Sequence, residues 1–275
     1  MECGKPVVLL RCCRKVCVIL LDASTLHSLL IVCPLVFLAG FVDSVAGGGG
    51  LISLPAYLAA GLPIHLAYGT NKLSSCCGTV VATAKYAKSG YISWKPSLVA
   101  GGAALVGSYL GAKLVLILSE KVLHWTLLCV LPVVAVFLIF NRGFGKEENN
   151  RTLPTGVLLA LAAVIGLVIG AYDGFFGPGT GTFLVIAFTA VLGWNLTTAT
   201  GGAKVVNLCS NLAALVAYAQ GGSILLAVGI PAAVCNIAGN YLGSWLAVKK
   251  GAPFIRPVIL VSVGLLFLNI LKDVL

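Results

Sequence analysis

Residues 43–50 read Asp-Ser-Val-Ala-Gly-Gly-Gly-Gly, and residues 173–180 read Asp-Gly-Phe-Phe-Gly-Pro-Gly-Thr. Twice, 130 residues apart, an aspartate closes an apolar run and a glycine cluster follows. Outward from there, Gly61–Lys72 (GLPIHLAYGTNK) returns as Gly193–Lys204 (GWNLTTATGGAK), displaced by 132. At the same offset Tyr86-Ala matches Tyr218-Ala, and Gly107-Ser-Tyr-Leu-Gly111 matches Gly239-Asn-Tyr-Leu-Gly243. A hydrophobic chain that repeats itself, with glycine interruptions at corresponding places, reads as a membrane transporter built from two related halves.

Composition agrees. The 275 residues are 59% hydrophobic and 9% charged, against about 25% charged in a soluble domain. Apolar runs cover 27–42, 97–118, 122–140, 153–172, 223–248 and 254–271, each near the roughly 20 residues that cross a bilayer. The expectation is an all-α polytopic protein of the cell membrane, with about eight to ten transmembrane segments, short broken helices included. The alternating ten-residue segments of a membrane β-barrel are missing. The net charge of +10 is a topology signal rather than a nucleic-acid one. Its basic residues gather in short connections (Lys85, Lys88, Lys95; Arg142, Lys146, Arg151; Lys249, Lys250, Arg256), as cytoplasmic loops do. No aromatic residues interleave with them to make a nucleic-acid surface.

Of ten cysteines, Cys33, Cys76, Cys77, Cys129, Cys209 and Cys235 lie in apolar segments, where cysteine behaves as a small hydrophobe. Cys12, Cys13 and Cys17 sit with Arg11, Arg14 and Lys15 in a basic leader. That leader reads as an extension before the first span, with palmitoylation or metal binding as the alternatives. It shows no small-residue cleavage site of a signal peptide. No disulfide framework, resident metal or cofactor is implied.

The chain divides into a leader (1–26), a first transmembrane half (27–140), a polar linker (141–152, NRGFGKEENNRT) and a second half (153–275). In each half a long helix ends at the aspartate and glycines. A short segment follows (51–60 or 181–192), then a break and a third helix that begins at the Gly-x-x-Lys element (69–86 or 201–219). Two further helices complete the half. The connection at 85–95 carries three lysines and its counterpart at 219–223 none, whereas 118–121 carries one and 247–256 is basic. A basic loop that changes place between repeats favours inverted repeats. Re-entrant short segments and parallel repeats are the alternative.

Six of the eight acids (Glu2, Asp22, Glu120, Glu147, Glu148, Asp273) lie at ends or in loops, whereas Asp43 and Asp173 close apolar helices. A charge at membrane depth costs about 2.5–3.5 kcal/mol on insertion scales, so matched acids imply a role: proton coupling, charge balance with a lysine, or a helix cap. Lys72 and Lys204 form the second matched pair; each needs an anionic partner or snorkels to the interface. Lys113 has Trp245 as its counterpart and is expected at the interface. The glycine clusters Gly47, Gly48, Gly49, Gly50 and Gly177, Gly179 with Thr180 would break the helix and aim backbone N–H groups into a cavity, an anion site. Close helix packing is the plainer reading, and it suffices for Gly107 and Gly239. Asn71, Ser74, Ser75, Thr79, Asn207, Ser210 and Asn211 line the helices that carry the lysines and could hold an anion or bond neighbouring helices.

Phe41–Pro55, Gly69-Thr-Asn-Lys-Leu-Ser-Ser75 and Tyr172–Gly181 resemble the sulfite exporter TauE/SafE family of probable membrane transporters, over about residues 30–272. The resemblance implies a permease of two homologous halves for sulfite, sulfonates or related anions. It carries over Asp43, Gly47–Gly50, Asn71, Lys72, Asp173, Gly177, Gly179, Thr180 and Lys204 as motif residues. The expected function is a secondary transporter of small oxyanions driven by an ion or substrate gradient, with Asp43 and Asp173 as candidate proton carriers. Binding would fall to Lys72, Lys204, Asn71, Asn207, Thr180 and the glycines, and charge balance to Asp43 and Asp173. A channel, or a carrier of another solute such as a cation, is the competing class. An enzyme is not expected, because His27, His65 and His124 are scattered and unrepeated.

Overall fold

In hydrocarbon every backbone N–H and C=O needs a partner within the chain, so apolar spans become helices. The computed structural model describes residues 23–123, 125, 126, 153–255, 257 and 258. The leader up to residue 22, nearly all of the linker, and most of the runs 122–140 and 254–271 lie outside the described residues, as do Cys12, Cys13, Cys17, Cys129 and His124. The described residues are all-α: α1 (Ala23–Ala46), α2 (Gly50–Ala59), α3 (Ile64–Lys88), α4 (Trp94–Ile117), α5 (Thr155–Phe175), α6 (Thr180–Ala190), α7 (Leu196–Gln220) and α8 (Leu226–Lys250). Five of them, α1 from Thr25, α4, α5, α7 and α8, are long and apolar enough to cross a membrane. Helix α3 has 25 residues but carries Asn71, Lys72, Ser74, Ser75 and Thr79.

Large apolar side chains such as Leu30, Leu110, Val168 and Val234 face outward. The helix contacts are instead made through small residues, because lipid supplies no hydrophobic drive and backbones must approach closely. On α5, Gly166, Gly170 and Gly174 lie against Ala100, Ala104 and Ser108 of α4, where a Cβ would overlap backbone. Gly40 of α1 meets Asn236 of α8, and Gly239 and Gly243 of α8 meet Phe37 and Phe41 of α1.

These registers set the helix directions. Numbers rise together along α4 and α5, so the two run parallel, and α1 and α8 are parallel likewise. Helices α3 and α8 are parallel too: Thr70 accepts from Leu225 N, and Gly78 meets Asn236. So are α4 and α7, with Gly101 on Cys209 and Ser108 bonded to Ser210 O. Helices α3 and α7 are antiparallel, since Thr83 bonds Lys204 O while Lys72 bonds Asn211. Hence α1, α3 and α8 point one way and α4, α5 and α7 the other. Two bundles result: α1, α2, α3 and α8 pack together, as do α4, α5, α6 and α7, and the two meet chiefly along α3 and α7.

One expected boundary is wrong. Gly69 and Gly201 do not begin their helices; they lie inside α3 and α7, which start at Ile64 and Leu196. The glycines are there for close approach: Gly69 to Ser223 O and Gly201 to Tyr91 O. Pro63 and Asn195 start these helices instead, Asn195 by accepting from Thr198 N at 2.9 Å, as an N-cap should.

Candidate functional site

Helix α1 ends because Gly47 takes φ +74°, a conformation that costs other residues dearly. Its N–H closes on Asp43 O at 2.7 Å. Gly177 ends α5 in the same way, at φ +86°. The two breaks touch each other: a Cβ on Gly47 or on Gly181 would overlap the other's backbone. Thr182 locks the crossing by donating to Ala46 O at 2.8 Å, one of the carbonyls that a helix end leaves without a partner.

Around this crossing the matched charges pair across the halves. Lys72 donates to Asp173 Oδ2 at 2.8 Å and to Asn211 Oδ1 at 3.0 Å. Lys204 donates to Asp43 Oδ2 at 3.0 Å and to the Asp43 backbone carbonyl. Both lysines are buried, so snorkelling is excluded, and neither carboxylate acts as a helix cap. Ser210 Oγ donates to Asp173 Oδ2 at 2.5 Å, and Asn211 donates to Asn207 at 3.2 Å. Ion pairs this deep are costly to break: removing one partner destabilises by about 3–5 kcal/mol.

A polar hollow lies between the two bundles. Of the residues expected at the site, Asp43, Asp173, Lys72, Asn71, Ser75, Asn207, Asn211, Gly47, Gly50, Gly177 and Thr180 line it, together with Gly181 of the second glycine cluster, whereas Ser74, Thr79 and Ser210 do not. Gly48, Gly49, Gly179 and Lys204 do not. Gly49 packs on Ala39 and Asp43, and Gly179 precedes α6 at φ +82°. Lys204 sits behind Asp43. Lys113 lies over the Tyr109 ring, away from the hollow. Gly181 was legible as the end of the second glycine cluster, whereas Thr182 was not, because its counterpart, Ile52, breaks the repeat pattern. The space open to the centre of a water molecule is about 20 Å³, room for about one water, so the hollow is closed around its charges. Among the described residues no group of three or more His, Cys, Asp or Glu could hold a metal.

Apolar spans interrupted by broken helices, with charges enclosed between them, define a multi-pass membrane protein. Residues 32–270 match the model of the family described as sulfite exporter TauE/SafE, and the chain belongs to that family. It is 35% identical over 258 residues to the probable membrane transporter protein YfcA of Escherichia coli K12, covering 91% of this chain and 95% of that protein. It is 35% identical over 238 residues to the probable membrane transporter protein ORF9 of Sinorhizobium sp., covering 86% of this chain and 90% of that protein. With YdhB of Bacillus subtilis, also a probable membrane transporter protein, identity is 27% over 238 residues, covering 83% of this chain and 94% of that protein. No solved structure matches.

Proposed function

We propose that the protein is a secondary transporter of small oxyanions, sulfur-containing ones such as sulfite or sulfonates, with its site in the hollow between the bundles. The observation that carries this reading is the pair of buried Lys–Asp bridges, Lys72–Asp173 and Lys204–Asp43, held where two broken helices cross. Charged groups in lipid persist where they serve a permeating ion. The family's description points to the same substrate class.

In this reading residues 27–140 and 153–275 are inverted repeats, since α1 runs opposite to its counterpart α5, α3 to α7 and α4 to α8. The basic residues agree. Lys85, Lys88, Lys95, Lys249 and Lys250 fall on one face; of the other described lysines outside the ion pairs, Lys113 and Lys121 fall on the opposite one. The first face is cytoplasmic by the positive-inside rule. Each repeat lends its fourth helix to the other's bundle, so the bodies that rock are the two mixed bundles, not the two halves. Opening the hollow separates α3 from α7 and parts one ion pair, freeing an ammonium for the anion. A proton on the released aspartate would balance the charge.

A cation carrier is the second reading, favoured by one fact: Asp43 and Asp173 line the hollow while Lys204 does not. Flux in proteoliposomes separates them, using a panel of sulfite, thiosulfate, sulfonates and carboxylates with and without a pH gradient. Saturable uptake of at least one oxyanion, accelerated by inward protons, is expected. Cation flux with no anion flux would replace the oxyanion reading with its rival.

A further inference from the structure

The repeat makes Lys72 and Lys204 equivalent, yet their surroundings differ. Lys204 donates to the backbone carbonyl of Asp43, inside the last turn of α1. A cation there is a second donor to a carbonyl that the Gly47 N–H already reaches, and it meets the negative end of the helix dipole. Symmetry would have Lys72 do the same for Asp173 and α5. Instead Lys72 bonds two side-chain acceptors, Asp173 Oδ2 and Asn211 Oδ1. It lines the hollow beside Gly177, where a Cβ would stand 3.6 Å from its Nζ.

The helices facing them explain the difference. Helix α7 presents Asn207, Ser210 and Asn211 to Lys72 and Asp173. At the repeat offset α3 has Ser75, Gly78 and Thr79. Thr79 turns its hydroxyl onto its own helix, donating to Ser75 O at 2.7 Å. Gly78 has no side chain and admits Asn236 and Asn240 of α8 against its backbone. So among the described residues the Lys204 ammonium bonds Asp43 alone, whereas Lys72 sits in a connected set of amide and hydroxyl groups. An ammonium has three donors; with two committed, Lys72 keeps one beside the hollow.

We propose that the two pairs divide the work: Lys72, with Asn211 as its specificity-determining neighbour, receives the oxyanion in place of Asp173, while Lys204 is a clasp that holds the end of α1 and stays paired through transport. This rests on the transport reading above and assigns the binding lysine within it. An anion of three or four oxygens finds there one ammonium, the Asn211 and Asn207 amides and the Ser210 hydroxyl. Two of these groups, the Lys72 ammonium and the Ser210 hydroxyl, hold the Asp173 carboxylate in its absence.

The test is sulfite flux in proteoliposomes of the full chain, with KM and kcat separated, alongside thermal unfolding of the same preparations. Lys72→Gln is expected to raise KM at least 100-fold. Lys72→Arg does no better, because no room exists for the larger head. Asn211→Ala raises KM about tenfold, the loss of one charge-assisted bond, with an unchanged unfolding midpoint. Lys204→Gln lowers the midpoint and the yield while its KM stays within threefold of the parent, and Lys204→Arg recovers the midpoint. Should Lys72→Gln fail to fold, Lys72→Gln/Asp173→Asn removes the buried charges together and is expected to show the same rise in KM. A parent-like KM in the Lys72 variants, or an equal rise in KM for folded Lys204→Gln, overturns the division of labour while leaving oxyanion transport standing. Absence of oxyanion flux in the parent chain removes the transport reading and this inference with it.

Discussion

At the scale of single residues, burial decides what each charge does. Asp173 is 2% exposed and Lys72 3%, so neither has water to fall back on. Asp173→Ala leaves an uncompensated ammonium and should lower stability by about 3–5 kcal/mol. Lys72→Ala/Asp173→Ala removes both charges and should recover at least half of that loss, read by thermal or chemical unfolding as a double-mutant cycle. A double variant whose loss equals the sum of the two single losses would show that the pair is not coupled. Asp43 differs: its side chain is 15% exposed, and Lys204 keeps the Asp43 backbone carbonyl as a partner. Asp43→Ala therefore costs less than Asp173→Ala. The duplication made these four residues legible. It could not show that each lysine pairs with the aspartate of the other half, because an offset states which residues are equivalent and not which ones face each other. Nor could it separate Lys72 from Lys204, since that distinction comes from Asn211 and Thr79 on the opposing helices.

At the scale of elements, glycine does two different jobs, and the sequence shows only one of them. The breaks at Gly47 and Gly177 were legible because dense glycine, with Pro178 at the second, disfavours a continuing helix. Gly69 and Gly201 looked like breaks too, yet each lies inside a helix to let a distant loop carbonyl approach. That contact joins residues more than 100 apart, which no local pattern reveals. The two jobs separate experimentally. Gly47 and Gly61 both have positive φ, +74° and +83°, but nothing lies within 4 Å of a Cβ on Gly61, whereas one on Gly47 would enter Gly181. Gly61→Ala should cost about 1–2 kcal/mol, the strain of the left-handed conformation alone. Gly47→Ala adds the overlap, so its unfolding midpoint should fall well below that of Gly61→Ala, and flux should fall with it. Equal midpoints would mean that the two breaks do not bear on each other.

At the scale of the whole molecule, the helix directions change what counts as a moving part. Two halves in sequence suggest two halves in motion. The contacts instead tie α8 to α1 and α3, and α4 to α5 and α7, through backbone-close glycine seams. Among the described residues the bundles meet chiefly where α3 lies against α7, at the crossed breaks and at the ion pairs. Interiors packed at close contact switch as units rather than deform, so the weak seam is where motion belongs. Native Cys33 on α1 and Cys235 on α8 bring their side chains within hydrogen-bonding reach, one from each half but both in one bundle. In a chain whose other cysteines are replaced, oxidising this pair should leave flux within about twofold of the reduced protein, a small loss on the scale that mutant kinetics resolve. Tyr68 and Tyr218, stacked with centroids 6.4 Å apart, bridge α3 and α7. A Tyr68→Cys/Tyr218→Cys chain, cross-linked with a short bifunctional reagent, should lose flux and regain it on cleavage of the link. Rocking of the sequence halves requires the reverse for the first pair: a bond from Cys33 to Cys235 would then stop transport, because it would join two bodies that must part.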